Sequence, residues 1–567
     1  MSKLTIHLLL TLLAAALLLP GLGLIPLLDW DELNFAESAR EMEITNQWWY
    51  VQMGFEPFWE KPPLAIALQA LCVKLFGDHA WVYRLPNAMA GIVAINFVYH
   101  VGEFLGRRML GIFWSLTLLT SLAPFIYWKT ALIDPIFNLF IVLSLWNWYR
   151  IIRSEIHGER SNIYYLLSGI FIALAALTKG QAAFVLFAAV VGWITLYRGR
   201  WYDIITGKLV LFILPIIVLV GGWSYNVYLH LGSSFFESFY QYQKELVKGQ
   251  FEWHTQPWFY HGIVLLLACF PASALALKYL TRKGQEDFVL ESWHFLMRST
   301  FWIVLIIFSL ISTKIIHYSS LCWWPITYFG AYHIYLVYTN RTKTSPGQWL
   351  WLLAISLVLS CVFLLGPIAI NWISWENTEW WSKMDSYSRS ILSQSPRWNW
   401  FTYLPAIALF FACGLSLRKM IRSSSTTFDE GTILLVSLVT GIAVYAWFLP
   451  AASETLHNPL ALYCKKIDPK KELIETQGFK TYSLYYHGKF TPAEFNGDWY
   501  QTSDMVKEKI KGHPYPKQEA RKVWIRDGSP KTPAYLITRN TYKPDLYFLY
   551  QFQKKDSFSG YWVWKRK

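Results

Sequence analysis

Cysteine is scarce and unpaired in this chain. The 567 residues contain six (Cys72, Cys269, Cys322, Cys361, Cys413 and Cys464), with no recurring spacing. Five lie in or beside apolar segments, and Cys464 stands alone in the polar C-terminal stretch, which leaves no partner there for an internal disulfide. Charge is scarce too, at 16% of residues against 54% hydrophobic and 18% aromatic. No internal repeat or low-complexity segment interrupts the sequence, which excludes repeat arrays and compositional disorder. The small-residue pattern that closes a cleavable signal peptide is also missing. The first apolar run continues through PGLGLIPLL to Leu28, so residues 1–28 read as a retained span with Lys3 on its basic flank.

Long apolar runs dominate what is present. Segments of spanning length recur near residues 6–28, 84–104, 109–128, 132–152, 163–178, 181–197, 209–229, 258–279, 298–314, 319–338, 348–370, 400–418 and 433–450. These make a polytopic α-helical membrane protein with about 13 transmembrane helices. The 31 tryptophans and 34 tyrosines suit many membrane–water interfaces, where amphipathic rings settle. The net charge of +14 raises the question of a nucleic-acid partner. Most of the excess instead sits in short loops: Arg107-Arg108, Arg150 to Arg160, Arg198 to Lys208, Lys278 to Lys283, Arg341 to Lys343 and Arg418 to Arg422. Thirteen spans place all of these on the side of the N-terminus, and the positive-inside rule makes that side cytoplasmic. No nucleic-acid partner is then needed.

The opposite face receives 29–83, 230–257, 371–399 and everything after 452. The apolar run 64–76 is too short for a span, follows Pro62-Pro63 and ends at Phe76-Gly77, so it reads as an interfacial or re-entrant helix. Counting it as a span would turn every later arginine loop outward. The chain thus divides into a transmembrane domain, 1–452, and a polar extracytoplasmic domain, 453–567, of α+β character. In the latter, TYSLYYHGKF, KVWIRD, AYLITR and SGYWVWKR read as strands and DWYQTSDMVKEKIKG as a helix.

The chemistry-bearing residues gather on that outer face. Asp29-Trp30-Asp31-Glu32 opens a helical stretch. A capping box accounts for Asp29 and Glu32, and leaves Asp31 projecting from the first turn. In Phe58-Trp59-Glu60-Lys61-Pro62-Pro63 two prolines stiffen a corner, so that Lys61 is either a snorkelling interfacial lysine or a point charge for a lipid phosphate. Asp134 heads the fourth span, where it caps a helix or faces an aqueous cavity. His254 precedes the eighth span, and Lys314, His317 and Tyr318 form a polar turn between two apolar helices. Each cluster alone is ordinary. Their convergence on one membrane face is the signal.

These residues also carry a resemblance. The Asp-Glu helix start is followed in order by Glu-Lys-Pro-Pro, Arg-Leu-Pro (84–86), Leu-Ile-Asp (132–134), Ala-Leu-Thr-Lys-Gly (176–180), His-x-x-Pro-Trp (254–258) and Ser-Thr-Lys-x-x-x-Tyr (312–318). Over residues 1–330 this order resembles the bacterial branch of the dolichyl-phosphate-mannose protein mannosyltransferase superfamily, and is similar to its aminoarabinose lipid A transferases. The resemblance implies a C-type glycosyltransferase fold in the bacterial inner membrane, with loops 29–83 and 230–257 forming the site. It implies a polyprenyl-phosphate-linked sugar donor, with Asp31 and Asp134 as the catalytic acids and Lys61 as the phosphate ligand. Lys314 would assist Lys61, and Glu60 and His254 match positions that hold a divalent metal ion. Asn34 departs from the pattern, standing where those transferases carry an arginine that faces the lipid phosphate.

The function expected is sugar transfer to a lipid, glycan or protein acceptor at the outer face. Asp31 serves as base for a hydroxyl acceptor, or orients a phosphate acceptor that is already ionised. Two rival readings are a transporter or flippase of lipid-linked sugars and a scaffold working through the C-terminal domain. The first would place charges at the midplane within broken inverted repeats, and neither pattern is visible. The second leaves the loop motifs without a role.

Overall fold

The computed structural model describes residues 1–198, 207–248, 256–281, 288–394, 398–422, 426–495, 503–511 and 516–567. Among them, eight helices are long and apolar enough to cross a membrane: Ala80–Phe104, Asp134–His157, Asn162–Lys179, Leu209–Leu231, Leu290–Leu310, Pro346–Trp372, Trp400–Arg422 and Thr427–Leu456. Other expected spans are helical but shorter or broken. The first helix is Lys3–Leu18, not a helix through 28. Pro20 and the left-handed Gly21 (φ 76°) end it. The Lys129 ammonium then donates to the carbonyls of Leu17, Leu18 and Pro20, groups that a helix end leaves unpaired. The run 109–128 divides into Arg108–Thr120 and Leu122–Tyr127, and 258–279 into Tyr260–Ala268 and Ala272–Thr281.

Small residues set a close helix contact. A Cβ on Gly102 would lie 2.3 Å from the Gly111 Cα, so Ala80–Phe104 and Arg108–Thr120 meet backbone to backbone across the Arg107 turn. The segment 64–76 forms one helix, Leu64–Phe76, as its apolar run suggested. It packs on Asp31–Thr45 and Ala80–Phe104.

The C-terminal stretch contains a four-stranded mixed sheet in the order β1-β2-β4-β3, with β1 Leu473–Thr476, β2 Ala534–Arg539, β3 Phe552–Phe558 and β4 Tyr561–Arg566. AYLITR and YWVWKR are strands as expected. TYSLYYHGKF and KVWIRD are not: they contain helix Ser483–Gly488 and the end of helix Pro516–Asp527. The reason is topological. β1 and β2 run parallel, with Leu473 opposite Ala534, and a parallel pair needs a long crossover, which these helices supply. The helix expected in 498–512 appears as Asp504–Ile510, and its first part lies outside the described residues.

The loop after the first helix and this sheet share one apolar core. Leu33, Phe35, Val51, Phe58 and Tyr83 pack in a single cluster with Leu484, Phe490, Ile537 and Val563. Residues 29–83 are therefore held between the helices below and the sheet above.

Candidate functional site

Helix Asp31–Thr45 is rich in strong helix formers and ends at left-handed Asn46 (φ 53°). Every residue from Glu32 to Met42 is buried, although the sequence DELNFAESAREM is polar. Buried carboxylates need partners, and each has one. Glu32 pairs with Arg84 at 2.7 Å and accepts from the Leu28 and Ala131 amides. Glu37 pairs with Arg40 at 2.6 Å, and Arg40 donates on to the Phe490 carbonyl. Glu41 accepts from the Gly54 and Phe55 amides. Burial, together with the neighbouring Glu37, pushes the Glu41 carboxyl well above its usual range. Burial pushes Glu32 the same way, but the Arg84 charge and hydrogen bonds outweigh it and hold Glu32 below its ordinary value.

Glu32→Gln should therefore destabilise the protein by about 3–5 kcal/mol, because the Arg84 guanidinium would stay buried without its counter-charge. A marked fall in the melting temperature of the detergent-solubilised variant is the expected result.

The capping-box expectation is only half met. Glu32 reaches back to the Leu28 amide, but Trp30 occupies the N-cap and makes no side-chain cap bond. Asp29 instead accepts from the Thr481 hydroxyl and from the Tyr482 amide at 3.2 Å, which ties the C-terminal sheet unit to the helix start. Its carboxyl is raised by burial against the pull of those bonds.

Asp31 projects from this helix start with its side chain 30% exposed, and its carboxylate lies 3.6 Å from His317 Nε2. The same nitrogen is 3.6 Å from Asp134, whose other oxygen pairs with Lys179 at 2.5 Å. Asp134 occupies the first turn of Asp134–His157, with Pro135 next, and Lys179 closes the neighbouring antiparallel helix Asn162–Lys179. His317 comes from the short 3-10 turn Ile316–Cys322. Four separate elements thus deliver two acids, one imidazole and one ammonium to one place.

The Glu-Lys-Pro-Pro corner borders this group. Left-handed Gly180 (φ 72°) follows Lys179, and a Cβ there would stand 2.8 Å from Phe239 and 3.8 Å from Pro62, so glycine keeps the helix end close to the corner. Burial draws the Lys61 ammonium below the ordinary lysine range. Glu60, Asp31 and Asp134 oppose that shift and Lys179 adds to it. Glu60 is buried, with Lys480 of the C-terminal unit 3.9 Å away, and Lys480 lies over the Trp30 and Tyr482 rings. Trp59 packs on Phe235, which brings part of the 230–257 loop against the corner.

Of the residues expected from sequence, Asp31, Asp134, Lys61 and Glu60 share one neighbourhood. Lys314 is buried with its ammonium on the Ile311 carbonyl, and the lysine paired with Asp134 is Lys179. His254 lies outside the described residues. Among the described residues no group of three His, Cys, Asp or Glu side chains is arranged to hold a metal ion. Asn34 is buried one turn from Asp31, and its side-chain oxygen has no hydrogen-bond partner among the described residues. Sequence reading named His317 in a polar turn of the outer face but gave it no role, and it did not single out Lys179. Both lay inside the motifs Ala-Leu-Thr-Lys-Gly and Ser-Thr-Lys-x-x-x-Tyr, which was the signal available.

A bundle of apolar helices, with acids and lysines gathered where helix ends meet a covering sheet, defines a membrane-embedded enzyme-like fold. Comparison makes this specific. The dolichyl-phosphate-mannose-protein mannosyltransferase family matches residues 60–223. The undecaprenyl phosphate-alpha-4-amino-4-deoxy-L-arabinose arabinosyl transferase of Shewanella sediminis is 26% identical over 372 residues, 64% of this chain and 64% of that protein. Its counterpart 1 in Proteus mirabilis is 24% identical over 54% of this chain and 55% of its own length. The chain therefore spans less than two thirds of the length of these curated relatives. Among solved structures, ArnT from Cupriavidus metallidurans bound to undecaprenyl phosphate has a TM-score of 0.69 at 17% identity, covering 98% of this chain and 97% of that one. The fold is the ArnT fold, and the sequence is similar to the aminoarabinose transferases and, over residues 60–223, to the mannosyltransferase family, in line with the resemblance of its ordered motifs.

Proposed function

We propose that this chain is an integral-membrane glycosyltransferase that moves a sugar from a polyprenyl-phosphate donor to an envelope acceptor on the outer face of the bacterial inner membrane. The observation that carries this reading is the convergence of Asp31, Asp134 and Lys179 on His317, with Lys61 beside them. Transfer breaks the bond between the anomeric carbon and the phosphate oxygen, through an oxocarbenium-like transition state. The leaving oxygen takes the electron pair, so cations near it stabilise the transition state more than the ground state. Lys61 has that role and Lys179 supports it. Asp31, the more exposed acid, faces the acceptor: it takes the proton of a hydroxyl or orients an ionised phosphate. Asp134, locked to Lys179, holds the geometry.

Thirteen spans, a cytoplasmic N-terminus and an extracytoplasmic α+β domain at 453–567 complete the reading, and the arginine-rich loops support that orientation. A divalent ion at Glu60 and His254 rests on the sequence resemblance, and no step above depends on it. Lipid A-like lipids, glycans and proteins all remain candidate acceptors. A flippase is the lesser reading, because the charged residues occupy helix ends on one face and not a midplane path.

Purified protein incubated with labelled undecaprenyl phosphate-aminoarabinose and an envelope lipid extract should release undecaprenyl phosphate and label the extract. Labelled donor that changes leaflet in proteoliposomes while staying intact would favour the flippase.

A further inference from the structure

His317 has no role in the reaction described above, yet it stands between the two acids. Its Nε2 is 3.6 Å from an oxygen of Asp31 and 3.6 Å from an oxygen of Asp134, and its side chain is 10% exposed. Two carboxylates facing one ring nitrogen require a proton on that nitrogen, since a lone pair there would be repelled. The site therefore holds His317 as an Nε2–H donor shared by the two acids. The contacts are longer than full hydrogen bonds, as is common before a substrate closes a catalytic site.

The groups around the ring restrict it to this task. Tyr127 lies at 6.4 Å and Tyr318 at 5.4 Å between ring centroids, and Lys179 sits over the Tyr318 ring. His261, whose Nδ1 is 3.0 Å from the Ser319 hydroxyl, and Lys314 complete the surroundings on the other side of the turn. Asp134 already has Lys179 as a charge partner. Asp31 comes from a different element, and His317 is the group that links it to Asp134.

We propose that His317 is the positioning residue that ties Asp31 to Asp134, keeping the Asp31 carboxylate aimed at the acceptor. The inference rests on the transferase reading. When Asp31 takes the proton of a hydroxyl acceptor, the new acceptor–anomeric carbon bond forms and the phosphate leaves with the electron pair of the broken bond. The Nε2–H then turns wholly to Asp134, the carboxylate that is still charged. His317 gives up no proton in the step.

Three variants test this with undecaprenyl phosphate-aminoarabinose as donor and envelope lipid extract as acceptor. His317→Ala should lower kcat by about 10–100-fold, within the span of a lost charge-positioning contact. The affinity for undecaprenyl phosphate should stay within about twofold. His317→Gln, which restores an N–H donor, should recover part of the rate. Adding His317→Ala to Asp31→Asn should cost nothing further, since the histidine acts through Asp31. A loss confined to donor affinity, or no recovery of rate in His317→Gln, would overturn the assignment. A wild-type protein that releases no undecaprenyl phosphate would overturn the transferase reading itself, whereas active wild type with unimpaired variants would remove His317 alone.

Discussion

Asp31→Asn is expected to lower sugar transfer by about 10²–10⁴-fold, the range of a lost base or charge-positioning group. The substitution keeps the shape of the side chain and removes its charge. Asp31 is 30% exposed at the start of its helix, and the buried ion pairs of that helix belong to Glu32 and Glu37. Folding should therefore survive, with an unchanged elution profile in detergent and an unchanged melting temperature. Initial rates across acceptor concentrations check the effect, and the loss should fall on kcat as well as kcat/KM. Near-normal turnover would return Asp31 to the role of a helix-end residue and make Asp134 the leading acid.

Lys61→Ala should weaken donor binding and slow the chemical step together, since the phosphate gains charge as the bond breaks. A loss of about 10²–10³-fold in kcat is in line with the removal of one electrostatic contact from a transition state. Lys61→Arg keeps the charge on a wider planar fork beside Pro62-Pro63 and should restore activity only in part. The pH dependence gives a further check. Lys61 titrates below the ordinary lysine range because of its burial. The wild-type ammonium is thus present below that lowered value and lost as pH rises through it, so donor affinity should fall at alkaline pH. The arginine variant should lack that fall. A titration with undecaprenyl phosphate on folded variants reads both effects. If both variants bind donor normally, Lys61 is an interfacial anchor.

What the sequence determined by itself was the membrane class and the family resemblance, and it singled out four residues that the structure brings into one neighbourhood. Spanning length and apolarity are local properties of a chain, and motif order survives where identity is low. Asp31, Glu60, Lys61 and Asp134 were legible because prolines and helix starts mark their positions. The tertiary structure decided the partnerships. Lys179 and His317 stand 45 and 183 residues beyond Asp134 along the chain, and no local pattern reports that helix packing brings their nitrogens to one aspartate. Asp29 illustrates the same limit. Locally it is a good helix cap, and only the C-terminal sheet unit, folded back over the first loop, turns it toward Thr481 and Tyr482. The segments 483–488 and 522–527 read as strands from their aromatic and β-branched residues, but the parallel pairing of Leu473 with Ala534 required them as crossover helices. Backbone pairing between distant strands outweighs local propensity, which is worth only tenths of a kcal/mol per residue.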